Sequence, residues 1–310
     1  MLSGPSLACF PPPFPQATSC ANDATAPISG SAMNLDFSDD EIRRYSRHIL
    51  LEDVGGTGQA KLRDASVLII GAGGLGSPLL LYLAAAGVGR IGLVDDDEVD
   101  MSNLQRQIAH TTAGIGRPKV ETAAASALAI NPNTTIETHP FRLDRDNILP
   151  LIARYDIICD GTDNFPTRFL ISDACVLAKK TLVSAAVLRF EGQLAVFKPH
   201  VAHPETGHYP CYRCLYPDPP PPGMVPTCSE AGVLGAVTGV MGTLQATEVL
   251  KEILGIGDTL AGRLLMWDAL ATRFRTIRLR ADPHCAACGT DATLYDLSGH
   301  GGATGPACVI

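Results

Sequence analysis

The sequence predicts an α/β protein: a doubly wound, mostly parallel sheet extended by antiparallel strands and closed by a four-cysteine knuckle. Three observations predict it. Between residues 66 and 187 short apolar runs alternate with helix-length stretches, the pattern that lays helices on both faces of a parallel sheet. Aromatic residues are only 5% of the chain while hydrophobic residues are 46%, so the core must rest on Leu, Ile, Val and Ala. Two Cys-x-x-Cys pairs, Cys211 with Cys214 and Cys285 with Cys288, fall in the region after the alternating part ends.

Taken in order, residues 1–32 are rich in Pro, Ser and Ala without periodicity and are expected to be disordered. No Lys or Arg precedes Arg43, and Pro11-Pro12-Pro13 breaks any apolar run, so no export signal is expected. A cytoplasmic protein with reduced or metal-bound cysteines follows as an expectation. The character changes at Met33, which reads as an alternative start, and the main domain is expected over 33–289. Ser38-Asp39-Asp40-Glu41 is a helix-start signal, and the helix it opens, through Leu51, carries Arg43, Arg44 and Arg47.

Val67-Leu68-Ile69-Ile70 reads as a buried strand that runs into Gly71-Ala72-Gly73-Gly74-Leu75-Gly76 and a helix through Ala86. Such a turn brings backbone close to a phosphate and aims a helix N-terminus at it, the signature of a Rossmann-like nucleotide fold. The next strand, near 90–94, ends in Asp95, about 20 residues after the loop, where an acid can accept from a ribose hydroxyl. Further strands are expected near 134–138, 155–160 and 181–186, with helices near 118–130 and 164–179. After Gly192 come a strand over 193–198, a proline-rich loop from His200 to Pro226 and a long helix over roughly 230–254. Antiparallel strands over 263–267 and 274–280 lead to the last cysteine pair, and the Gly-rich stretch 290–310 is expected to be a flexible tail. The net charge of −8, with no basic block, argues against a nucleic-acid partner, and no apolar run reaches the roughly 18 residues that span a bilayer.

The Gly loop and Asp95 alone would suit a nicotinamide or flavin enzyme. Ser102-Asn103-Leu104-Gln105-Arg106-Gln107 and Gly116-Arg117-Pro118-Lys119 change that reading, because Arg106 and Lys119 place two cations beside the phosphate cradle. That suits ATP; each cation by itself would read as a solvated surface charge. Asp160-Gly161-Thr162-Asp163-Asn164 ends another strand at the ligand-binding edge, where a carboxylate can hold Mg2+ on phosphate oxygens. Asp163 or Asn164 could equally cap the helix that follows. The two cysteine pairs together fit one closed tetrahedral Zn2+ site of structural type; unrelated turns or a redox pair are the other readings of such spacing. Cys228, at the expected start of the long helix, is either a thiolate nucleophile favoured by the helix dipole or a small residue of the capping region.

In combination, Arg44-Tyr-Ser-Arg47-His-Ile-Leu-Leu51, the Gly71–Gly76 loop, Ser102–Gln107, Asp160–Asn164 and the paired knuckles resemble the MoeB/ThiF/HesA family, bacterial relatives of the ubiquitin-activating enzymes. The resemblance covers roughly residues 35–289. It implies an adenylyltransferase that uses ATP and Mg2+ to attach AMP to the C-terminal glycine of a ubiquitin-like sulfur carrier. Carried over by motif, Gly74 contacts the nucleotide and Asp95 the ribose, Ser102, Asn103, Leu104, Gln105, Arg106 and Lys119 surround the phosphates, and Asp163, with Asn164 beside it, handles Mg2+. Arg47 resembles the arginine that reaches into the partner's site, which implies a homodimer. Arg189-Phe-Glu191-Gly-Gln193 and residues 226–232 look most like the molybdopterin-synthase adenylyltransferase branch, hence molybdenum cofactor biosynthesis; the thiamine-pathway carrier is the alternative substrate. A separate protein is expected to donate the sulfur. An NAD-dependent oxidoreductase, or a non-catalytic ATP-binding partner protein, stays open as a reading from other classes.

Overall fold

The computed structural model describes residues 35–221, 224 and 231–300. It opens on helix α1 (Asp39–Ile49), started by the expected capping box: the Ser38 hydroxyl accepts from the Glu41 amide while the Glu41 carboxylate accepts from the Ser38 amide at 2.9 Å. Helix α2 (Gly55–Asp64) leads to strand β1 (Ser66–Ile70), all of whose residues are buried. Helix α3 (Gly76–Ala86), β2 (Arg90–Val94), α4 (Lys119–Ile130), β3 (Thr135–His139), α5 (Ile148–Ile152), β4 (Ile157–Asp160), α6 (Phe165–Leu177) and β5 (Thr181–Leu188) complete the alternating part. The expected elements are all present, with bounds shifted by a few residues at most.

β1 pairs in parallel with β2 on one side and with β4 on the other, and β2–β3 and β4–β5 continue in the same sense. The chain therefore winds outward from β1 in one direction, then returns to build the other half. β5 turns at Arg189, which has φ 54°, into the antiparallel strand β6 (Glu191–Phe197). β9 (Arg263–Asp268) and β10 (Arg273–Arg278) extend the sheet, giving the eight-stranded order β10-β9-β6-β5-β4-β1-β2-β3. A two-stranded ribbon, β7 (Ala202–His203) with β8 (Gly207–His208), and a short helix α7 (Tyr212–Leu215) occupy part of what the sequence offered as one long loop.

Alternate side chains of the central strands feed two cores. Val67 and Ile69 pack with α3, α4 and helix α8 (Gly235–Leu254); Leu68 and Ile70 pack with α5, α6 and Tyr212. Burying a Leu or Ile fully contributes about 1.5–3 kcal/mol, and β1 alone supplies four large side chains.

Two expectations are corrected. The long helix begins at Gly235, not near 230, because Gly232 has φ 75°, Val233 bridges to Arg189 and Leu234 is extended at the cap. Cys228 lies outside the described residues. Residues 290–300 are not a loose tail: Leu297 is 4% exposed within the α5–α6 core, and the amides of Thr293 and Leu294 donate to the Ala286 carbonyl. Apolar burial at one position outweighs the glycine-rich composition. Residues 301–310 and the extension 1–32 lie outside the described residues. Among the described residues, no helix is long and apolar enough to cross a membrane.

Candidate functional site

The winding reverses between β1 and β4, and an open sheet binds ligands beyond its strand ends at that reversal. A cavity of about 180 Å3 lies there. Of the residues singled out from sequence, Gly74, Asp95, Arg106, Lys119, Asp163 and Asn164 line it. The loops after β1 and β4 touch beneath it. A Cβ on Gly71, whose φ is 97°, would come within 2.9 Å of the Gly161 carbonyl, and one on Gly76 would strike the Gly71 carbonyl. Only glycine allows this approach. The α3 N-terminus has no side-chain cap; the Ser77 amide donates to the Gly73 carbonyl at 2.9 Å and Pro78 carries no N–H, so it is the Gly73–Leu75 turn just ahead of the helix that faces the cavity.

Asp95 is tied into the glycine turn. Its Oδ2 accepts from the Ala72 amide at 2.7 Å and its Oδ1 from the Asp97 amide at 2.9 Å, so the acid at the end of β2 holds the glycine turn in place. Burial pushes its carboxyl up, against the pull of Lys119. His110 supports the same turn from the other side: its Nε2 lies 2.9 Å from the Ala72 carbonyl and its Nδ1 2.8 Å from Thr122 Oγ1 on α4. Lys119, the first residue of α4, is buried, with Nζ 2.7 Å from Asp97 Oδ2.

The Ser102–Gln107 run divides by role. Asp100 caps a 3-10 turn over Met101–Asn103, accepting from the Ser102 amide and hydroxyl, and the Asn103 Oδ1 accepts from the Asp100 amide. Ser102 and Asn103 belong to that turn and Leu104 ends it; these three and Gln105 do not line the cavity. Arg106 and Gln107 do. Gln107, which the sequence reading left without a role, is 2% exposed and its Oε1 has no partner among the described residues. Its adjacency to Arg106 was the only signal available.

The two acids after β4 also part company. Asp160 is 1% exposed and accepts from Arg168 Nη1 at 3.0 Å, Ser184 Oγ at 2.8 Å and Thr162 Oγ1 at 2.7 Å. It is spent on structure. Asp163 is exposed at the cavity, and Asn164 caps α6, its Oδ1 accepting from the Thr167 amide at 3.0 Å. Beyond β3, Phe141, Arg142 and Leu143 form a further wall that sequence reasoning did not single out. Arg47 is exposed near the end of α1 and does not line its own chain's cavity.

Cys211 and Cys214 from α7 meet Cys285 and Cys288 away from this cavity. Their sulfurs are 3.9 Å (Cys211–Cys214), 3.5 Å (Cys211–Cys285) and 3.4 Å (Cys214–Cys288) apart. A tetrahedral zinc with Zn–S bonds of about 2.3 Å sets its sulfurs about 3.8 Å apart, so the four residues fit that ion.

A family model described as the ThiF family matches residues 45–287. The chain belongs to the ThiF family. Among its ThiF-family relatives, a sulfur carrier protein adenylyltransferase from Thermus thermophilus is 49% identical over 261 residues, covering 84% of this chain and 96% of that protein. A probable adenylyltransferase/sulfurtransferase MoeZ from Mycobacterium tuberculosis is 53% identical over 247 residues; the match takes in 80% of this chain and 62% of the relative, so the chain spans somewhat less than two thirds of that longer protein. The fold is also that of E. coli MccB, solved with MccA-N7isoASN, with a TM-score of 0.69 at 22% identity over 82% of this chain and 76% of that one.

Proposed function

We propose that this chain uses ATP to adenylate the C-terminal glycine of a ubiquitin-like sulfur carrier, the small subunit of molybdopterin synthase being the favoured substrate. The observation that carries the reading is one cavity at the sheet's reversal point that gathers an uncapped helix N-terminus, Arg106, Lys119 and Asp163. A carrier carboxylate oxygen attacks the α-phosphorus, the bond to the bridging oxygen breaks, and pyrophosphate leaves. Negative charge grows on the phosphoryl oxygens, and preplaced cations stabilise it without reorganising. Arg106 and Lys119 supply those cations, the Gly73–Gly74 turn cradles phosphate, and Asp95 accepts from the ribose. Asp163 would hold Mg2+ on the phosphate oxygens, where the ion neutralises charge.

Arg47 acts in the site of a second copy in this reading. Ile42, Leu50 and Leu51, exposed around it at 47%, 72% and 55%, are apolar surface that a homodimer would cover. Zinc at the knuckle is structural, because four thiolates leave no open position.

The deciding assay is pyrophosphate release with the molybdopterin and thiamine carriers side by side. Release that depends on a Gly-Gly terminus supports adenylation, and the faster carrier names the branch. Release with neither carrier, despite ATP binding, would leave a non-catalytic nucleotide-binding protein.

A further inference from the structure

Asp173, in the third turn of α6, has a side chain that is 0% exposed, yet it is a carboxylate surrounded by the α5–α6 core. It is satisfied from outside its own helix. Arg213 binds it in a two-pronged pair, Nε to Oδ1 at 2.7 Å and Nη2 to Oδ2 at 2.8 Å, and His300 Nε2 lies 2.7 Å from Oδ2. Arg213 sits between Cys211 and Cys214, so the knuckle fixes where its guanidinium goes. That guanidinium also lies over the Phe169 ring, 4.8 Å from its centre, one turn closer to the start of α6.

The other end of α6 is the nucleotide cavity. Asn164, Thr167 and Arg168 line it from the cap and first turn. A rigid helix thus joins the knuckle to the cavity. If the knuckle opens, Arg213 is no longer held, and Asp173 loses its two-pronged charge pair and keeps only His300. Breaking a buried pair in this way is strongly unfavourable, so α6 must shift to let the carboxylate reach water. That shift displaces the residues that line the cavity.

We propose that zinc occupancy and nucleotide binding are thermodynamically coupled through the Arg213–Asp173 pair and α6, each tightening the other. Arg213 and Asp173 are positioning residues, since neither lines the cavity. The proposal rests on the reading of that cavity as a nucleotide site. Coupling of this kind is reciprocal: whatever factor zinc adds to nucleotide affinity, nucleotide adds to zinc affinity. A merely stabilising knuckle has no such property, because it would hold its ion equally with the cavity empty or filled.

The test measures zinc affinity of the full chain by equilibrium competition with a chromogenic chelator, with and without a saturating non-hydrolysable ATP analogue. Direct calorimetric titration of the analogue runs in parallel. The expected result is zinc bound about fivefold or more tightly with the analogue present, the lower end of ordinary allosteric couplings. Arg213→Lys, with native circular dichroism and one zinc per chain, should bind the analogue and show less than about a twofold effect. An analogue that binds without changing zinc affinity in the unmodified protein overturns the coupling and leaves the nucleotide site standing. Failure of the analogue to bind overturns both. Full coupling retained in Arg213→Lys overturns the route through Asp173, and so does a freshly purified protein without zinc.

Discussion

Lys119 Nζ lies 2.7 Å from Asp97 Oδ2, and while the lysine side chain is 4% exposed, that of Asp97 is 51% exposed. A buried ammonium is thus held at the cavity wall by a carboxylate that water can still reach. Triphosphate entering the cavity would meet a cation already in position, with a partner that can turn away into solvent.

Replacing that cation should therefore hurt the transition state more than the fold. Lys119→Met removes the charge and leaves Asp95 and Asp97 without the cation that offsets them. Carrier-dependent ATP–pyrophosphate exchange should fall by about 10²–10³, the usual loss for one donor to a developing oxyanion, roughly 3–4 kcal/mol. Exchange within tenfold of the unmodified rate would show that Lys119 serves only Asp97.

The two acids after β4 should separate cleanly. Asp163→Ala, at an exposed carboxylate, should abolish AMP transfer with little change in melting temperature. Asp160→Ala leaves Arg168 buried without its partner and should cost about 3–5 kcal/mol of stability by chemical denaturation. Unaltered pyrophosphate exchange in Asp163→Ala would remove its assignment to Mg2+.

Why the sequence separated some of these residues and not others is a matter of range. Strand and helix identities followed from local periodicity, and the knuckle from the two-residue spacing repeated within the chain. The candidate site was legible at Gly74, Asp95, Arg106, Lys119 and Asp163 because each sits at the end of a strand or within a short run. Asp160 and Asp163 look alike in one pentapeptide; what divides them is Arg168 and Ser184, brought in by α6 and β5. Leu297 and His300 were hidden in glycine-rich sequence, and their places depend on a groove between α5 and α6 that no local pattern announces. Gln107 showed only as the neighbour of Arg106 and His110 not at all, since an orphaned amide oxygen or a ring bridging a helix and a loop exists only after folding.

Arg47 tests the assembly. Arg47→Ala and Asp163→Ala should each be inactive in adenylation assays, and mixing them under conditions that exchange subunits should restore part of the activity. Hybrid dimers would then contain one site with both residues intact. Absence of rescue, once exchange is verified by native mass spectrometry, would confine Arg47 to its own chain or to no catalytic role.

His110 should leave a signature in the pH dependence of stability. Burial holds its imidazole below the ordinary histidine range. The folded state then binds fewer protons than the unfolded state between that lowered value and about 6.5, so stability rises with pH across the window and is lost as pH falls through it. His139 and His200 are lowered by burial as well and add to the same trend. His110→Gln, which keeps a donor for the Ala72 carbonyl, should make the melting temperature less sensitive to pH between 7 and 5. An unchanged slope would show that the imidazole between α4 and the glycine turn is not what titrates.

β1 pairs with β4 through Val67 and Ile157, residues 90 apart in the chain. During synthesis the strand Ser66–Ile70 therefore emerges long before one of its two neighbours exists, and it is apolar on both faces. At elongation rates of about 5–20 residues per second, one edge of the future centre of the sheet stays bare for several seconds. β2 can cover the other edge much sooner. The geometry that makes the ligand crevice is thus also the molecule's point of greatest vulnerability to self-association on the ribosome. Slowing translation between residues 94 and 157 should lower soluble yield more than the same delay placed after residue 188.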